Sequence, residues 1–138
     1  MSRKAVGNAG STHGKAVGNA GETGAADFLA ARGYRLVDAN VRPEGGMARG
    51  EIDIIAWDGD VLVFVEVKTR RTRLGPQGTP GEAITRAKRR QLVSLAQAYL
   101  AHHALDDVPC RFDLVEAAPR RDGVLCFSLM QNAFDGSD

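Results

Sequence analysis

Glu51-Ile-Asp-Ile-Ile-Ala-Trp-Asp-Gly-Asp-Val-Leu-Val-Phe-Val-Glu-Val-Lys68 is the stretch on which the fold turns. Its halves, Glu51–Trp57 and Val61–Lys68, are rich in β-branched and aromatic residues and read as strands. Asp58-Gly59 between them is a strong short hairpin signal. If Asp58 and Gly59 form a two-residue turn, Trp57 faces Asp60, Asp53 faces Phe64 and Glu51 faces Glu66. Side chains alternate along a strand, so Glu51, Asp53, Phe64, Glu66 and Lys68 then share one face. Glu66 lies diagonal to Asp53, with backbones on the order of 7–8 Å apart. Two carboxylates so placed can lean onto one divalent ion at about 2.1 Å. A three-residue loop, Asp58-Gly59-Asp60, would instead send Asp53 to the face opposite Glu66.

The chemistry on that face is costly unless it is used. Val61–Lys68 is apolar except for Glu66 and Lys68, and so apolar a strand is usually covered on both sides. A buried carboxylate without a partner neutralises or destabilises the fold. A metal ion and a lysine would offset that cost. Glu51, on the same face, would belong to the surroundings of such an ion.

Outward from the hairpin, helical spacing of Glu22, Ala26 and Leu29, with Gly33 as a stop, predicts a helix over about 22–32. Tyr34–Ala39 reads as a strand. The stretch from Asn40 to Gly50 holds Pro43, Gly45 and Gly46 and reads as a loop. After a basic Gly/Pro loop, Thr79 as N-cap, Pro80 at the first position and Glu82 as capping-box acid predict a helix running to about His103. That assignment gives Glu82 a structural role. Lys88 and Gln91 fall near the apolar stripe of Ile84, Leu92, Leu95 and Tyr99. Pro109–Glu116 and Val124–Met130 read as two last strands. The order αβββαββ is that of an α/β sandwich, a sheet flanked by helices.

The chain has 138 residues, enough for one core. Residues 1–17 form a low-complexity head that repeats Lys-Ala-Val-Gly-Asn-Ala-Gly at Lys4–Gly10 and Lys15–Gly21 and is expected to be disordered. The domain is expected over 18–131, with a flexible tail at 132–138. Cys110 and Cys126 match no metal-ligand spacing and are expected as reduced, partly buried thiols. No apolar run is long enough for a membrane span, and the polar N-terminus lacks a secretory apolar stretch, so a cytoplasmic protein with no membrane partner is expected. Net charge is +1, but it is unevenly spread. Residues 68–90 carry eight basic side chains against the single acid Glu82, a balance of +7. Such a concentration suits phosphate contacts.

The ordered set Asn40-Val-Arg42, Gly50-Glu-Ile-Asp-Ile-Ile55, Phe64-Val-Glu-Val-Lys-Thr-Arg70 and Glu82-Ala-Ile84 with Lys88 resembles the YraN family. Asp53 and Glu66-Val67-Lys68 also resemble the PD-(D/E)XK signature, with Ile52 where the proline would stand. The resemblance spans about residues 18–130. It implies a restriction-endonuclease-like fold with a central mixed sheet, distantly similar to Holliday-junction resolvases, and a metal-dependent endonuclease acting on nucleic acid, DNA and branched DNA foremost. It implies that Asp53, Glu66 and the Val67 carbonyl hold Mg2+ or Mn2+, that Lys68 serves the attacking water and the phosphate, and that Glu22 joins the catalytic cluster. Arg42, Arg49, Arg70, Arg71, Arg73, Lys88 and Gln91 are the candidate contacts to nucleic acid. Resolvase action needs two sites and hence a homodimer. The second reading is a nucleic-acid-binding module without turnover, or one activated by a partner.

Overall fold

The computed structural model describes residues 16–44, 49–70 and 84–135. The elements run α1 (Ala16–Ala31), β1 (Arg35–Val41), β2 (Ile52–Asp58), β3 (Val61–Thr69), α2 (Arg86–His102), β4 (Cys110–Pro119) and β5 (Leu125–Phe134). The order αβββαββ and the α/β class are as expected. The strands form one five-stranded sheet in the order β1-β2-β3-β4-β5. β3 and β4 are parallel and the other neighbours antiparallel, so the sheet is mixed. A parallel pair needs a long crossover, and α2 supplies it.

Strand alternation sorts the core into two layers. Phe64, Leu62, Phe112 and Leu114 pack with Leu92, Leu95, Ala96 and Tyr99 of α2. Val63, Val65, Ile54, Ala56 and Val115 pack with Ala25, Ala26 and Leu29 of α1. The near-continuous apolar run of β3 is thus the mark of a strand covered on both faces. α1 lies close to the sheet at Gly21 and Gly24, which lack side chains. A Cβ on Gly21 would fall 2.2 Å from Thr69 Oγ1, and one on Gly24 would fall 2.3 Å from the Phe127 ring.

A second polar centre pins the hairpin end of the sheet. Asp113 is fully buried. Its carboxylate accepts hydrogen bonds from Tyr34 Oη at 2.7 Å, Arg111 Nε at 2.9 Å and the Asn132 amide at 2.9 Å. Arg111 also donates to Asp58 at 2.7 Å. The bonds to the carboxylates hold the Arg111 guanidinium firmly protonated, and burial beside Asp113 pushes the Tyr34 phenol up from its ordinary value.

The structure corrects several boundaries. The hairpin turn is Gly59-Asp60, not Asp58-Gly59, because Asp58 stays in the ladder opposite Val61. Gly59 takes the left-handed φ of +63° that the first position of a two-residue turn can demand, and Arg111 holds Asp58 at the strand end. α1 begins at Ala16 rather than near residue 22 and so runs through most of the second heptapeptide copy. β1 extends two residues past Ala39 to Val41 by pairing with Ile52. α2 is capped by Thr85, whose hydroxyl accepts from the Lys88 amide at 3.1 Å. The expected cap residues Thr79, Pro80 and Glu82 lie outside the described residues. β5 runs on to the buried Phe134, into the segment expected as a tail. Cys110 and Cys126 are free but exposed, not partly buried, since one opens β4 and the other sits on edge strand β5.

Candidate active site

The register decides where the acids meet. The ladder of β2 and β3 runs from Asp58 opposite Val61 to Ile54 opposite Val65, and one step beyond its end the same register brings Asp53 level with Glu66. The expected register placed them on a diagonal. The observed shift is by two residues, which preserves the parity of the faces. Asp53 and Glu66 therefore still share the α2 face, and they are closer than expected. Their charges act on one another, and the negative charge of Glu66 raises the Asp53 carboxyl.

Each member of the pair is held from a different element. Asp53 Oδ2 accepts a hydrogen bond from the Val67 amide at 2.8 Å, across from β3. Glu66, with its side chain 14 % exposed, has Lys88 Nζ of α2 at 3.6 Å from Oε2. Glu66 Oε1 is buried and has no hydrogen-bond partner. Burial, and then the negative charge of Glu66, push the Asp53 carboxyl up to about 7, against the pull of the Val67 amide and Lys88. Burial likewise raises Glu66, opposed first by Lys88. Two facing acids raised in this way are short of positive charge.

Lys68 follows Glu66 on the same face and is exposed at the strand end. Its parallel neighbour on β4 is Glu116. Glu116 is only 2 % exposed and receives a hydrogen bond from Arg70 Nη2 at 2.9 Å. Glu116 Oε1 and Arg70 Nε are buried without hydrogen-bond partners. Sequence reasoning missed Glu116, because it comes beside Lys68 only through the parallel pairing of strands 40-odd residues apart in the chain. The signal was an acid inside the otherwise apolar run Leu114–Ala118, as with Glu66 in β3.

The other expected site residues are distributed as follows. Glu22 is half-buried on α1, which covers the opposite face of the sheet. Its neighbour Gly21 packs on Thr69, so Glu22 reaches the same end of β3 from behind. Among the described residues no three acid, histidine or cysteine side chains converge as a metal-ligating group. Glu51 is half-buried just before β2. Arg42 and Arg49 are exposed. Gln91 donates its amide to the Arg49 carbonyl oxygen, tying α2 to the approach to β2. Gly50 follows with φ +100°, where a Cβ would fall 2.5 Å from Gln91 Nε2. Arg49, Ala87, Lys88, Arg90 and Gln91 line an open depression of about 570 Å3, linked to the acid pair through Lys88. Arg71 and Arg73 lie outside the described residues.

The donor set suits a hard divalent cation. Mg2+ is typically bound through one or two carboxylates and keeps several waters. Asp53 and Glu66 supply the two carboxylates, and the buried Glu66 Oε1 lacks any other partner. The Val67 carbonyl is the main-chain candidate. No helix of the described residues is long and apolar enough to cross a membrane.

Comparison with known proteins finds relatives along most of the chain. The family described as Uncharacterised protein family UPF0102 matches residues 21–117. A UPF0102 protein of Symbiobacterium thermophilum is 57% identical over 134 residues, covering 97% of this chain and 98% of the relative. One from Chromohalobacter salexigens is 45% identical over 83% of this chain and 86% of its own length. One from Caldicellulosiruptor saccharolyticus is 40% identical over 97% of this chain and all of its own length.

Proposed function

The chain belongs to the uncharacterised protein family UPF0102, the YraN family its motifs resemble, and from that premise we propose that it is a metal-dependent endonuclease. It hydrolyses phosphodiester bonds of nucleic acid, with DNA, branched DNA included, as the substrate class. The observation that carries this reading is the pair of facing, half-buried carboxyls of Asp53 and Glu66, short of positive charge and flanked by Lys68 and Lys88.

Asp53, Glu66 and the Val67 carbonyl would hold Mg2+ or Mn2+. Such an ion, when bound, lowers the pKa of water and offsets charge on the phosphoryl oxygens. The Val67 amide fixes the Asp53 carboxylate toward the site. Lys68, exposed one step beyond Glu66, orients the attacking water, helps remove its proton and contacts the pentavalent phosphate. Arg42, Arg49 and Arg90 receive flanking phosphates. Arg70 and Gln91 are engaged with Glu116 and Arg49, so they act on substrate through the strand end and loop they hold. Glu22 approaches from behind β3 and acts on the water shell of the site.

The test is a cleavage panel of branched, duplex and single-stranded DNA and RNA with Mg2+ and Mn2+. Wild type is expected to cut at least one of these, and Lys68→Ala to lower single-turnover cleavage at least about 100-fold while remaining folded. Binding that persists in EDTA with no product from any substrate would favour a binding module without turnover.

A further inference from the structure

Lys88 is not part of the acid-acid-lysine string, yet among the described residues its ammonium is the one within ion-pairing distance of the acid pair. Lys88 Nζ lies 3.6 Å from Glu66 Oε2, which is close enough for charge attraction but beyond hydrogen-bond length. The ammonium therefore offsets the Glu66 charge. The Lys88 side chain is 38 % exposed on a flexible stem. Its backbone is fixed, because the Lys88 amide donates to the Thr85 cap. The open depression lined by Lys88, Arg49 and Arg90 lies next to it. An ammonium on such a stem has two destinations, the Glu66 carboxylate or an anion in that depression.

We propose that Lys88 is a positioning residue that acts as a tethered counter-ion: it pairs with Glu66 until a phosphate of the substrate draws it into the Arg49–Arg90 depression, so that divalent-ion binding and substrate binding favour one another. This rests on the reading of Asp53 and Glu66 as an ion site. A divalent ion entering beside Glu66 meets the repulsion of the ammonium several ångströms away. An anion in the depression removes that repulsion. Coupling of this kind is reciprocal, so bound ion also strengthens the hold on the phosphate.

The test is a Mn2+ titration of the full chain by calorimetry, for wild type, Lys88→Gln and Lys88→Arg, without and with an oligonucleotide carrying non-hydrolysable linkages. Lys88→Gln is expected to bind Mn2+ about tenfold tighter, the factor for removing one unit charge near a divalent ion even with water-like screening. Lys88→Arg is expected to match wild type. Oligonucleotide is expected to tighten Mn2+ binding to wild type and to leave Lys88→Gln little changed. Lys88→Met, which keeps the apolar stem, replaces the glutamine variant if that fails to fold. Equal Mn2+ affinity in wild type and Lys88→Gln, with wild type still cleaving, overturns this inference alone. No Mn2+ binding by any of the proteins overturns both this inference and the ion site it rests on.

Discussion

Asp53→Asn should make the metal-free protein more stable at high pH while removing its ion site. The Asp53 carboxyl is pushed from 3.8 to about 7, chiefly by burial and then by Glu66. A raised carboxyl pKa means that the folded chain holds a proton which the unfolded chain releases. Stability from this group is therefore complete below about pH 4 and is lost as pH rises through about 7. At roughly 1.36 kcal/mol per pKa unit, the shift corresponds to about 4 kcal/mol by pH 8. Asparagine keeps the shape and still offers Oδ1 to the Val67 amide, but it carries no charge. Urea unfolding of both proteins in EDTA should show nearly equal stability at pH 4. At pH 8 the variant should lead by about 2–4 kcal/mol. Saturating Mn2+ should stabilise wild type at pH 8 and leave Asp53→Asn unmoved. A variant equally destabilised at both pH values would refute the reasoning, since the acid would then be a well-satisfied structural group.

Two further predictions concern the scaffold. Gly24→Ala should destabilise the fold by about 1–3 kcal/mol despite the better helix propensity of alanine, because its Cβ would meet the Phe127 ring; equilibrium denaturation checks this, and Phe127→Leu should recover part of the loss. Arg111→Met should cost about 3–5 kcal/mol by leaving Asp113 without its cation, a loss visible in thermal melts at pH 8.

Much of the site was legible because parity, rather than exact register, puts side chains on a face. The turn sits one residue later than Asp58-Gly59 suggests, and the pairing consequently moves by two positions. Asp53 and Glu66 end up on the expected side and nearer each other. The helix cap was less legible. Thr79-Pro80 and Thr85 both precede a helical pattern, and Thr85 is the one whose hydroxyl caps α2. Glu82, like Thr79 and Pro80, lies outside the described residues. Lys88 was read as near the apolar stripe of α2 and able to reach toward the site or the substrate backbone, and the packing of α2 over β3 fixes Glu66 as its partner. Glu116 was illegible for a similar reason, since its meeting with Arg70 and Lys68 depends on the crossover between parallel strands. Helical spacing located Glu22 on α1, but spacing alone does not say which face of the sheet that helix covers.

The most direct test of the facing pair as an ion site is anomalous diffraction from crystals soaked in Mn2+. One peak should lie between Asp53 and Glu66, at about 2.1–2.3 Å from an oxygen of each. A fully loaded crystal with Mn2+ only elsewhere and none between these two carboxyls would contradict it.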